Sequence, residues 1–97
     1  MKPVKKIEIV TDSLELRKIL QLLEEAGVSG YTVIREVTGK GERGVRAGDE
    51  LTDVFKNSYV MTACPEDQVS QVVEVIRPIL KRFGGICLVS DAQWIMH

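Results

Sequence analysis

The 97-residue sequence has little of what enzymes, metal proteins and membrane proteins are built from. It carries one histidine, one tryptophan and two cysteines, and aromatic residues make up 5% of the chain. The one histidine, His97, is the last residue and has no Cys or His partner at ligand spacing, which argues against a zinc site. Cys64 and Cys87 form no Cys-x-x-Cys pair and stand in apolar surroundings, so they read as small buried residues rather than a redox device. No nucleophile stands beside a base, so catalysis is not expected. No apolar run approaches the roughly 20 residues needed to cross a bilayer, and Met1–Lys6 lead into an alternating pattern, not a signal peptide. A cytoplasmic protein with no membrane insertion is expected. With 13 basic and 14 acidic side chains the net charge is -1, which excludes the basic field of a general nucleic-acid binder. Tyr31 and Tyr59 also lack the aromatic and basic company that a base-stacking sheet needs.

What is present is concentrated in one place. Thr38-Gly39-Lys40-Gly41-Glu42-Arg43-Gly44-Val45-Arg46-Ala47-Gly48 packs four glycines and three basic side chains behind a strand-like run. Glycine lets backbone N–H groups approach an anion closely, and arginine offers a rigid two-pronged donor for its oxygens. The segment is not a Walker A loop, because Gly39-Lys40 leads to Gly41 and more loop rather than to Ser or Thr opening a helix. Composition alone leaves a solvated hairpin equally open.

The rest of the chain reads as a single domain, residues 1–97, of alternating strands and helices. Val4–Val10 alternates as a first strand. Asp12 and Glu15 have the spacing of a capping box before a helix whose Leu16, Ile19, Leu20 and Leu23 recur at helical intervals, and Gly27 stands where it should end. Tyr31–Val37 is a second strand, and Ser58–Ala63 a third. The connection between them, about 15–20 residues long, exceeds ordinary hairpin loops and favours a functional one. Pro65 suits the first position of a second helix carrying Val69, Val72, Val73, Ile76 and Leu80, with Pro78 set to kink it or loosen its last turn. Phe83-Gly84-Gly85 stops that helix. Ile86–Val89 is a fourth strand, with Asp91–Met96 as a short separate terminal strand.

The order βαββαβ predicts an α+β, ferredoxin-like fold: a four-stranded antiparallel sheet with two helices on one face. Ile86–Val89 shows no polar alternation, and Val60-Met61 are adjacent apolar residues, so both faces of the sheet call for cover. A homo-oligomer packed through its sheets would supply it.

In this order, the second strand, the glycine-basic segment, the Cys64-Pro65-Glu66-Asp67 helix start and the Phe83-Gly84-Gly85-Ile86 turn resemble the PII-like signalling proteins over nearly the whole chain. Gly30-Tyr31-Thr32-Val33 followed by Gly39–Arg46 is similar in particular to the SbtB and carboxysome-associated PII (CPII) groups, with 39–53 as the T-loop. The resemblance implies a non-catalytic homotrimer binding adenine nucleotides in clefts between subunits. Thr32 would approach the base. Gly39 and Gly41 would offer backbone to the phosphates, Arg43 and Arg46 would pair with them, and Lys40 would add a further cation. Gly84 and Gly85 would complete the cleft from the neighbouring subunit. Segment 39–53 has no tyrosine for uridylylation, and the chain lacks the paired C-terminal arginines that hold a triphosphate, which favours ADP or AMP over ATP. The cysteine-bearing C-terminal extension of some SbtB proteins is absent too. The resemblance also implies bicarbonate as a second ligand, and a bicarbonate transporter or carbon-fixation protein as the partner met by the T-loop.

Two other readings use the same fold. An acylphosphatase would cast Arg43 and Asn57 as anion cradle and water-positioning amide, but that cradle belongs after the first strand, where Thr11-Asp12-Ser13 holds no arginine. A CutA-like metal-binding trimer would have to rely on His97.

Overall fold

The computed structural model describes residues 1–39 and 56–97. They form four strands and two helices in the expected order, and all strand pairings are antiparallel. β1 (Lys2–Asp12) is longer than its central alternation because it pairs on both sides, with β3 from Lys5 to Asp12 and with β4 from Lys2 to Val10. Ile7, Ile9 and Thr11 face inward and are fully buried.

Asp12 does act as a cap, accepting from the Leu14 N–H at 2.9 Å, but it caps a 3-10 turn at Ser13–Glu15 rather than the α-helix itself. Glu15 makes no cap bond, so the capping box does not close. α1 (Leu16–Glu25) then buries Leu16, Ile19 and Leu23, the i, i+3, i+7 stripe that follows from 3.6 residues per turn. The chain turns at Gly27 into β2 (Thr32–Val37), which pairs with β3 (Asn57–Cys64). In β3 every second residue, Ser58, Val60, Thr62 and Cys64, is buried.

Pro65 lies outside the second helix. Its extended ψ of 153° makes it the residue before a 3-10 turn at Glu66–Gln68, and α2 (Val69–Phe83) starts only after that turn. Pro78 leaves the helix unbroken to Phe83. It sits on the exposed side, so water can reach the Glu74 carbonyl that its missing N–H leaves without a helical partner. β4 (Ile86–Trp94) is a single strand, not two, because its pairing with β1 runs unbroken from Val10–Ile86 to Lys2–Trp94.

The sheet order is β2-β3-β1-β4. The core lies between the sheet and the two helices: Ile7, Ile9, Val60 and Cys64 from the strands meet Leu16, Ile19, Leu23, Ala26, Val72 and Ile76 from the helix side. Cys64 is buried and Cys87 half-buried, both as free thiols. Burial pushes each thiol above its ordinary value; Asp67 adds to this at Cys64, and Arg77 partly offsets it at Cys87.

The opposite face carries no element of this chain among the described residues. Across it run Ile34, Tyr59, Val10 and Ile86 in one row and Thr32, Met61, Glu8 and Leu88 in the next. Ile34, Ile86 and Leu88 are each more than half exposed, as is Trp94 further along β4. Three polar side chains on this face pair with one another: the Tyr59 hydroxyl donates to Glu8 Oε2 at 2.7 Å, and Lys6 Nζ lies 3.7 Å from Glu8 Oε1.

Candidate functional site

The helix-side turns and the β2–β3 hairpin share one end of the sheet, where β1 finishes at Asp12 opposite Asn57 and β4 begins at Ile86 opposite Val10. Gly84 and Gly85 form this end's tightest turn, with φ of 84° and 119°. A Cβ at Gly85 would stand 2.3 Å from the Val10 carbonyl oxygen, so only glycine lets α2 return to β1 here. The Gly84 N–H closes α2 by donating to the Leu80 carbonyl at 2.8 Å.

The hairpin neck is tied to the start of α1 by two contacts. The Ser13 N–H donates to the Lys56 carbonyl at 2.8 Å, and the Ser13 and Ser58 hydroxyls lie 2.7 Å apart. Beside Ser58 in the register, Thr11 Oγ1 is buried with no hydrogen-bond partner among the described residues. A groove of about 470 Å³ opens next to Ser13, lined also by Leu14, Leu16, Arg17, Leu20 and Arg35.

β2 is irregular where it meets the neck. Glu36 has φ of 60°, the one left-handed non-glycine residue among those described, and the register shifts between Ile34 and Val37. Lys56 Nζ donates to Glu36 Oε1 at 3.1 Å across the neck.

Thr32, Gly39, Gly84 and Gly85 can now be placed. Thr32 is exposed on the uncovered face opposite Met61, part-way along the sheet, while Gly39 is exposed just past the end of β2. Gly84 and Gly85 adjoin β4 at the other edge. β2 and β4 are separated by two strands, about 14 Å at ordinary strand spacing. One chain therefore brings Thr32 and Gly39 to one edge and Gly84 and Gly85 to the other, without joining the two sets. Lys40, Gly41, Arg43 and Arg46 lie outside the described residues, as does most of 39–53. No motif in the sequence marks Arg17, Arg35, Glu36 or Lys56, and the irregularity of β2 leaves only the odd spacing of Thr32 and Gly39 as a trace.

Among the described residues no three His, Cys, Asp or Glu side chains gather as a cation site, and no helix is long and apolar enough to cross a membrane. His97 is exposed.

A four-stranded ferredoxin-like sheet with two helices on one face, whose β2–β3 hairpin and glycine turn share one end, defines a class of small α+β domains. The model of the nitrogen regulatory protein P-II family matches residues 4–97, and the chain belongs to that family. Among solved structures it is similar to CPII, a PII-like protein from Thiomonas intermedia K12, bound to ADP, AMP and bicarbonate. There the identity is 29% and the TM-score 0.80, over 95% of this chain and 88% of that one. A second structure of that protein, bound to ADP and bicarbonate, gives 32% identity and a TM-score of 0.79 over the same shares. The GlnK–ATP complex of B. subtilis matches at 27% identity and a TM-score of 0.69, over 95% of this chain and 84% of that one. The likeness to CPII agrees with the group that the sequence resembles.

Proposed function

We propose that this chain is a non-catalytic PII-like signalling protein that binds ADP or AMP in clefts between the subunits of a trimer, with bicarbonate as a second ligand. The observation that carries the reading is its likeness to a protein whose structures hold ADP, AMP and bicarbonate. The position of the site residues supports it: Thr32 with Gly39, and Gly84 with Gly85, lie at opposite edges of one sheet, so a single cleft needs one edge from each of two chains. The exposed side chains of Ile34, Ile86 and Leu88, from two neighbouring rows of the open face, give the trimer an apolar surface to bury.

In this arrangement Thr32 contacts the base, Gly39 and Gly41 present backbone to the phosphates, and Arg43, Arg46 and Lys40 neutralise them. The segment 39–53 carries the signal to a bicarbonate transporter or carbon-fixation protein from a cytoplasmic trimer. Calorimetric titration with AMP, ADP and ATP, each with and without bicarbonate, tests the reading. ADP or AMP should bind more tightly than ATP; no heat from any nucleotide would sink it. Arg43→Ala and Arg46→Ala should each weaken ADP about tenfold or more, the worth of a charge-assisted contact, and weaken adenosine less.

A further inference from the structure

Thr32 and Gly39 are seven residues apart, an odd number, and in an unbroken strand an odd separation sends two residues to opposite faces. The register removes that conflict. Ile34 is opposite Tyr59 and Val37 is opposite Asn57, so β2 takes three steps where β3 takes two. Residues opposite each other share a face, and Tyr59 and Asn57, two apart, share theirs. Val37 therefore lies on the face of Ile34 and Thr32, and the chain leaves β2 toward Gly39 in the phase of Thr32. A single-residue bulge makes the correction, and the residue that absorbs it is Glu36, held left-handed at φ 60° while its carboxylate is gripped by Lys56. Lys56 is itself tied to the fold, its carbonyl accepting from the Ser13 N–H. For a β-strand residue other than glycine this conformation is uncommon and strained, so the surroundings must impose it.

We infer that Glu36 is a positioning residue for the anion site: its left-handed bulge sets the phase that puts Thr32 and the Gly39 end of the hairpin on one side of the sheet, where one nucleotide can meet both. The inference rests on the nucleotide reading above for its ligand but not for its geometry, which allows the two to be tested apart.

Glu36→Gly keeps a residue that adopts positive φ freely, while Glu36→Val installs a β-branched one that resists it. Two readouts apply to each variant: the nuclear Overhauser cross-peaks that report the Val37–Asn57 pairing, and calorimetric ADP affinity. Glu36→Gly should keep the pairing and bind ADP within about twofold of the parent. Glu36→Val should lose the pairing and bind about tenfold or more weakly, with the β1–β3 cross-peaks unchanged. A valine variant that binds ADP like the parent would overturn the inference, as would a glycine variant that loses as much as the valine one. If the parent binds no ADP, the nucleotide reading fails alone. The cross-peaks then decide: pairing lost only in the valine variant supports the phase role, and pairing kept in it refutes that role.

Discussion

The two faces of this sheet are made by the same four strands and differ in almost every physical respect. On the helix side, Ile7, Ile9, Val60, Cys64 and their helical partners exclude water completely or nearly so. On the other side, equally apolar side chains at Ile34, Ile86 and Leu88 stand more than half exposed, interrupted by a satisfied Tyr59–Glu8–Lys6 network. One face is finished within the chain. The other stands open among the described residues, with Tyr59, Glu8 and Lys6 paired to one another across it.

That contrast predicts a ranking of substitutions. The largest effect belongs on the finished face: Ile9→Ala or Ile19→Ala should destabilise the fold by about 2–5 kcal/mol in urea titrations, the cost of deleting a fully buried branched side chain. Leu88→Glu, on the open face, should leave circular dichroism unchanged while sedimentation shows the proposed trimer falling apart. An equal loss of fold from both substitutions would erase the distinction between the faces. Smaller is Thr11→Val. It removes a buried hydroxyl that has no partner among the described residues and should raise stability by about 1 kcal/mol, whereas the same change at Thr62, whose hydroxyl donates to the Gly30 carbonyl at 2.6 Å, should lower it.

The smallest effect sharpens the picture of the open face. The Glu8 carboxylate accepts a hydrogen bond from the Tyr59 hydroxyl and so raises the phenol above its ordinary value of 10.0. A raised value stabilises the fold below pH 10, and the contribution fades as pH climbs through the shifted value. In a Tyr31→Phe background, ultraviolet titration should show Tyr59 ionising above 10, and Glu8→Gln should bring it back down.

The finished face was the legible one. Its hydrophobic spacings predict both helices and the ferredoxin-like order, because burial against one layer imposes a clean period of 3.6 or 2 on the residues that do it. Where the period is weak, local signals misled. Ser90 and Asp91 suggest a break in β4, yet the β1 ladder carries the strand through them, with Asp91 paired to Lys5. Pro65 has the look of a first helical residue, but its extended backbone keeps it one step outside a preliminary turn. The same holds for the candidate site. Glycines announce themselves in sequence, whereas the bulge at Glu36 leaves only a parity mismatch that becomes visible once a register exists. Nor could spacing reveal that Gly39 and Gly85 occupy opposite edges of one sheet, since that separation is a property of strand order.

The central claim is that the nucleotide cleft is made by two chains, one giving Thr32 and Gly39 and the other Gly84 and Gly85. The most direct test is calorimetric ADP binding to Leu88→Glu once sedimentation shows it to be a folded monomer, since that substitution touches none of the four residues. The account predicts that the monomer loses ADP binding while the parent trimer binds one ADP per chain. A folded monomer that binds ADP with the affinity of the parent would contradict it.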